Sequence, residues 1–338
     1  MQLFGTPASF KLIDLQPSER PDPGAPGPGQ VLVRMRAVAL NYRDLLVVQG
    51  QDRWLPPIGR VPVSDGVGIV EAIGVGVDRF RVGQRVISTI LPNWIDGPLT
   101  DAKRQGGLGG PSADGVLAEL VLFDADALVS TPAYLSDVEA ATLPVAALTA
   151  WHALTRANSL RPGATILVQG SGGVSLFALQ FGLAAGARVY ATSSSDAKLD
   201  RMRELGTAGT ANYRTAADWD VEILGMTDGR GVDHVIDIGG ASTLSQSLNA
   251  VAFGGIVSVV GLVGGLKAQI DVAQIFQKNV TLHGIETGSR TMFEAMLDWM
   301  EAREIHPIVG KTFSFEKTQA AFFHQRASTG IGKTCIVF

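Results

Sequence analysis

Along residues 30–40 apolar and polar positions alternate, with Val31, Val33, Met35 and Ala37 on one face. That period of two predicts a strand with one buried side. Residues 67–73, 85–90 and 117–123 predict further short strands, the first two set apart by Gly74, Gly76 and Gly83. The opening third therefore reads as a turn-rich, barrel-like β domain. Ahead of it, prolines 17, 21, 23, 26 and 28 predict a rigid irregular connector over residues 17–29. Between residues 91 and 115 the pattern fails. Glycines 97, 106, 107, 109, 110 and 115 lie among polar residues there, a loop of the length that marks mobility or function.

Near Ser130 the character changes. Residues 136–157 carry a helical pattern, and strand and helix then alternate. Strands are expected at 165–168, 188–192, 232–238, 255–261 and 280–284, with helices at 173–185 and 196–205. This rhythm implies a doubly wound parallel sheet. Residues 290–303 form an amphipathic helix, and the closing strand, 334–338, is expected to rejoin the first domain. The fold class expected is α/β. A β-rich catalytic domain covers residues 1–130 and 289–338, and a cofactor domain covers 131–288.

Composition narrows the function. The 338 residues are 46% apolar and 18% charged, which excludes a disordered chain. A net charge of −4 supplies no general basic field, so neither nucleic acid nor an anionic membrane surface is an expected partner. The single cysteine, Cys335, excludes an internal disulfide and a cysteine-rich zinc site. No basic segment followed by an apolar one opens the chain, so a cytoplasmic location is expected. Residues 162–187 and 238–266 carry no charge and are long enough for membrane spans, but Gly, Ser and Gln interrupt them, as buried parallel strands with tight turns would. Glycine is abundant, at 40 of 338, against a usual ~7%. Dispersed among β-branched runs, it suits the many strand–helix turns of an α/β fold.

The sharpest motif is Gly170-Ser-Gly172-Gly173-Val174-Ser175, between an apolar strand and a helix. In that context it matches a dinucleotide fingerprint. Gly170 permits the turn, Gly172 lets the backbone approach a pyrophosphate, and Gly173 and Val174 open a helix whose free N–H groups face the phosphates. Ser175 replaces the third glycine. The next strand ends without the acid that binds a ribose 2′-hydroxyl. Ser194, Ser195 and Lys198 follow instead, suited to a 2′-phosphate, and Tyr213 is placed to flank the adenosine. The cofactor expected is therefore NADPH. Two alternatives stand beside this: Ser195 as a helix cap, and Asp196 as a 2′-hydroxyl partner. Gly239 and the run Gly261-Leu262-Val263 end later strands, where their backbones could line the nicotinamide or serve as plain turns.

Taken with VLVRMRAVALNYRD, PVSDGVGIVEAIGVGV, LPVAALTAW and the terminal GIGKTCIVF, the chain resembles the medium-chain dehydrogenase/reductase superfamily over essentially its full length. Within it the chain is similar to the zinc-independent, quinone-oxidoreductase-like branch. The resemblance implies a GroES-like catalytic domain with an inserted Rossmann domain, a homodimer as the common assembly, and hydride transfer to a quinone or α,β-unsaturated carbonyl. It puts Asn41, Ser64 and Val145 where zinc-dependent members keep metal ligands, so no zinc is expected. Asn41 is the candidate donor to a substrate carbonyl or to the nicotinamide ribose, and Tyr42 the candidate proton donor. Asp44 is expected to orient its loop or pair with Arg43, and Thr149 matches a position near the nicotinamide. Asn41 and Asp44 read equally as turn and cap residues. Trp54, Trp94 and the glycine loop are candidates to shape a pocket. His152, His234 and Cys335 read as structural. Two rival functions remain: a metal-dependent alcohol dehydrogenase, and a non-catalytic NADPH-binding protein.

Overall fold

Strands β1 (Gln2–Phe4) and β2 (Pro17–Glu19) pair antiparallel. Part of the proline-rich connector is therefore strand, with Pro17 at an end, where its missing N–H costs nothing. β3 (Gln30–Ala39) shows the expected alternation and is followed by helix α1 (Tyr42–Val48), β4 (Asp65–Ile73) and β5 (Arg85–Ser88). The 91–115 loop contains one short helix, α2 (Asp101–Arg104), before β6 (Leu120–Asp124) and β7 (Leu128–Ser130). Next come α3 (Asp137–Ala141), a π-helical turn (Leu143–Ala147) and α4 (Leu148–Arg156). The alternating part runs β8 (Thr165–Gln169), α5 (Gly173–Ala184), β9 (Arg188–Ser193), α6 (Asp196–Glu204), β10 (Gly209–Asn212) and α7 (Trp219–Met226). It continues with β11 (Val232–Asp237), α8 (Leu244–Ala250), β12 (Val251–Val259), α9 (Ala273–Phe276) and β13 (Thr281–Gly284). The chain ends with α10 (Arg290–Glu301), β14 (Val309–Ser314), α11 (Thr318–Ala327) and β15 (Lys333–Val337).

The computed structural model describes residues 1–338, which divide into two units: Met1–Leu148 with Gly288–Phe338, and Thr149–Thr287. In the first, seven strands form a mostly antiparallel sheet in the order β14-β15-β3-β4-β5-β7, with β6 also on β3. The terminal strand pairs antiparallel with β3 through Cys335 and Ala39, so the tail does return to the first unit. Its core joins Leu3, Val33, Phe123, Phe322 and Ile336, and Phe4 meets Phe315 edge-on at 5.1 Å. The division falls at Leu148, later than the change of pattern near Ser130 suggested. The reason is packing: α3 lies against β3 and β4.

The second unit is a six-stranded parallel sheet, order β10-β9-β8-β11-β12-β13. Leu167, Val235 and Val257 from the strands pack with Trp219, Ile223 and Leu248 from the helices. The two charge-free stretches supply β8, α5, α8 and β12, and no helix is long and apolar enough to cross a membrane. Strand β12 is paired on both sides, and β13 and β10 are the edges.

Candidate active site and cofactor cradle

In the parallel unit the chain starts at β8, builds outward to β10, then crosses to β11 on the other side of β8. Open α/β sheets bind ligands at such a reversal, beyond the carboxyl ends of the strands. Gly170 follows β8 with φ +74°, a left-handed conformation that glycine adopts freely, and donates its N–H to Thr192 O at 2.7 Å. Gly172 is the extended N-cap of α5, and a Cβ built there would project into open space. With Gly173 and Val174 in the first turn, the structure offers backbone N–H groups and an unobstructed approach, which fits a pyrophosphate. Ser175, at the third-glycine position, is buried and donates Oγ to Gln169 O at 2.5 Å, so the substitution ties helix to strand.

Gly239 and Gly261 follow β11 and β12, and their turns interlock. Gly264 N donates to Gly239 O at 2.7 Å, Ala241 N donates to Gly265 O at 3.2 Å, and a Cβ on Gly261 would stand 2.1 Å from Ile238 O. Leu262 and Val263 ride on this clasp, with Val263 exposed. Buried Asp237 holds the first turn, accepting from Gly240 N and Thr243 Oγ1, each at 2.8 Å, and from Ser247 Oγ at 2.6 Å. The sequence reading gave Asp237, Gln169 and Ser247 no role.

Ser194 and Ser195 follow β9, and Lys198 lies in the first turn of α6. Ser195 is the N-cap by position, but its hydroxyl makes no capping bond. Burial lowers the Lys198 pKa. Tyr213 follows β10, half-exposed, with its N–H on Ser193 O at 3.1 Å, so all four residues stand beyond the same strand ends. Asp196 accepts from Asn212 Nδ2 at 2.7 Å. Thr149 is buried near the start of α4, and no hydrogen bond joins it to the glycine turns.

The first unit holds a different kind of site. Asn41 is the buried N-cap of α1, where its N–H donates to Asp44 Oδ2 at 2.7 Å. Lys333, buried at the start of β15, donates Nζ to Asn41 Oδ1 at 2.5 Å and to Leu40 O at 2.8 Å. The same ammonium lies 3.6 Å from Asp65 Oδ2. Asp65 also accepts from Ser64 Oγ at 2.8 Å and from Val145 N, in the π-helical turn, at 3.3 Å. Two buried polar atoms in this cluster lack partners, Asn41 Nδ2 and Asp44 Oδ1. Burial pushes the Asp44 carboxyl up to about 6, against the lowering effects of Arg43, 4.0 Å away, and the Asn41 N–H. Tyr42 is exposed and takes no part in the cluster.

The backbone here is strained. Val63, next to Ser64, has φ +72°, which is rare for a β-branched residue and typical of sites held by their surroundings. Glycines from the 91–115 loop hold it: a Cβ would stand 2.6 Å from Val63 O at Gly109 and 2.0 Å from it at Gly115. These two loop glycines thus clamp the segment that carries Ser64 and Asp65. Trp94 is core, packed with Ile90 and Leu91, while Trp54 ends a short 3-10 turn with Arg53 over its ring. His152 bonds the Glu286 and Thr287 carbonyls, and fully buried His234 is held between Ser159 and Ser258. Burial pushes the Cys335 thiol up to about 12, so it is unreactive.

The sequence reading missed Lys333, because its contact with Asn41 depends on β15 pairing beside β3. It also missed how Ser64, Asp65 and Val145 meet, because residues 65, 145 and 333 are far apart in the chain. Zinc does not suit this donor set: an amide, a hydroxyl and a valine occupy the three positions, and no three His, Cys, Asp or Glu side chains gather in the structure.

A GroES-like unit in one chain with a parallel-sheet unit that carries a glycine cradle defines a nicotinamide-dependent oxidoreductase. The family described as "Alcohol dehydrogenase GroES-like domain" matches residues 27–133, and "Zinc-binding dehydrogenase" matches residues 173–302. A Schizosaccharomyces pombe protein described as "zinc-type alcohol dehydrogenase-like" is 41% identical over 328 residues, covering 95% of this chain and 94% of its own. The solved structure of an NAD-dependent alcohol dehydrogenase superposes with a TM-score of 0.91 at 31% identity, covering all of both chains. A Pseudomonas syringae quinone oxidoreductase superposes with a TM-score of 0.82 at 26% identity, covering 100% of this chain and 99% of its own. The chain belongs to the medium-chain dehydrogenase/reductase superfamily and is an oxidoreductase of that type.

Proposed function

We propose that the protein is an NADPH-dependent, zinc-independent reductase of quinones or α,β-unsaturated carbonyls. The observation that carries this reading is the buried Asn41 cluster, in which an amide donor and a lysine stand among the positions that hold metal in zinc-dependent relatives. Without a Lewis acid, a saturated alcohol or ketone is poorly activated, whereas a conjugated acceptor needs only a directed hydrogen bond to its oxygen.

When bound, the nicotinamide supplies the hydride. The residues suited to hold the cofactor are Gly170, Gly172, Gly173 and Val174 for the pyrophosphate. Ser194, Ser195 and Lys198 serve the 2′-phosphate and Tyr213 the adenosine. The interlocked turns at Gly239 and at Gly261, Leu262 and Val263, together with Thr149, serve the nicotinamide end. Asn41 Nδ2 donates to the acceptor oxygen as charge gathers there. Exposed Tyr42 passes a proton from water, and Asp44 fixes the start of α1 rather than reacting. The same reading includes a homodimer joined along the open edge at β13, where Leu282 and Phe276 are exposed.

A second reading, NADH use, is favoured by Asp196, which stands beyond β9 beside the serines. Consumption of NADPH and of NADH by chelator-treated protein, against a panel of quinones and enones, separates the two. Turnover with NADPH is expected. A clear NADH preference would remove the 2′-phosphate assignment. Silence with both cofactors, restored by zinc, would make the protein a metal-dependent alcohol dehydrogenase. Tight NADPH binding with no turnover under any condition would mark a binding protein.

A further inference from the structure

A lysine ammonium has donors and no acceptor, so Asn41 must turn its amide oxygen, Oδ1, toward Lys333. That fixes the flip of the amide and leaves Nδ2 as its remaining donor. Nδ2 is buried and has no partner. An unpaired buried donor is costly, and a fold seldom carries one without a use for it. Lys333 is itself held on its other side by the Leu40 carbonyl, 2.8 Å away, with Asp65 at 3.6 Å. Asp65 in turn is fixed by Ser64 and by the N–H of Val145. Asp65 is therefore held by a neighbouring hydroxyl and by backbone, and strained Val63 adjoins that anchor.

We propose that Lys333 is a positioning residue of the reaction, which holds Asn41 Oδ1 and balances Asp65 so that Asn41 Nδ2 is aimed at the oxygen of a quinone or enone acceptor. Lys333 does not itself touch the acceptor. Hydride adds to the electrophilic carbon, the π electrons move onto the oxygen as an enolate or hydroquinone anion, and water supplies the proton that neutralises it. Nδ2 stabilises that anion, and Lys333 acts through Nδ2. The inference rests on the proposed reductase activity, and the test keeps the two apart.

The test compares Lys333→Met, Lys333→Arg, Asn41→Ala and the Lys333→Met/Asn41→Ala pair with the wild type. Three readouts are used: steady-state kinetics with a quinone, direct NADPH binding, and binding of 4-nitrophenolate followed by its absorbance. Lys333→Met leaves the donor in place but no longer aimed, so it is expected to lower kcat about 10- to 100-fold, less than the ~10²–10³ of removing an oxyanion donor outright, with NADPH affinity unchanged. Lys333→Arg is expected to recover most of the rate. In the Asn41→Ala background Lys333→Met is expected to add little, and both single variants should weaken 4-nitrophenolate binding several-fold. If Lys333→Met does not fold, because Asp65 is then buried unbalanced, Lys333→Met/Asp65→Asn replaces it with the same expectations. Additive effects of Lys333 and Asn41, or a loss of NADPH affinity with kcat preserved, would overturn the proposal. A wild type that reduces no quinone or enone would end the reductase reading instead. The phenolate arm would then still decide whether Lys333 aims Nδ2 at an anionic oxygen.

Discussion

The two units place their chemistry in opposite ways. The parallel-sheet unit presents backbone: turns at Gly170, Gly239 and Gly261 lie at strand ends and offer N–H groups, with few side chains involved. The antiparallel unit presents side chains, gathered in the interior from residues 41, 44, 65 and 333. A backbone site depends on local conformation, so a short run of sequence encodes it. A side-chain cluster depends on strand pairing, so distant positions encode it jointly. Tolerance to change should differ accordingly.

The largest expected effect is on the clamp around Val63. Gly115→Val would drive a Cβ into the Val63 carbonyl, with a predicted loss of more than about 4 kcal/mol in stability by denaturant unfolding. Gly172→Ala meets open space instead, so stability should hold within about 1 kcal/mol while NADPH affinity falls. Equal stability losses for the two would erase the contrast.

The units should also respond to pH with opposite sign. Burial lowers the His234 pKa to about 3, below its ordinary value near 6.5. Its neutral form is bonded by two serines, so its contribution is present above about pH 6.5 and is lost as pH falls toward 3, at about 1.4 kcal/mol per unit. Asp44 is shifted the other way, from 3.8 up to about 6. Its contribution is present below about pH 4 and is lost as pH rises through 6. Asp44→Asn should therefore raise stability at pH 8 by up to about 3 kcal/mol and flatten that arm. Hydrogen exchange between pH 5 and 8, read unit by unit, checks the signs. A unit containing Asp44 that is unaffected by Asp44→Asn would contradict the burial argument.

Smaller effects belong to the cofactor. Lys198→Ala and Ser195→Ala should each raise the NADPH KM about 3- to 10-fold and leave that of NADH unchanged, a loss of one charged or neutral hydrogen bond. Equal effects on both cofactors would remove these residues from 2′-phosphate recognition and return Ser195 to a helix end.

Legibility followed the same division. The β8–turn–α5 unit could be read from eleven consecutive residues because strand, turn and helix are all local. Helices α7 and α8 escaped notice because neither carries a clean apolar stripe: Trp219, Asp220 and Ile223 are all buried in α7. The unit boundary was placed early because α3 and the π-helical turn look like the helices that follow, and only their packing on β3 and β4 assigns them to the first unit. Asn41 and Asp44 were legible as a cap or a site. Lys333 was not, since nothing in residues 330–338 reveals that β15 pairs beside β3 and brings its ammonium to Asn41.

The central claim is that the buried lysine–amide cluster works without a metal. Its most direct test measures zinc by elemental analysis on the same purified sample whose NADPH-dependent turnover of a quinone is recorded. Full turnover is expected with far less than one zinc per chain, unchanged by chelator. Turnover that rises in proportion to bound zinc, and is lost on its removal, would contradict it.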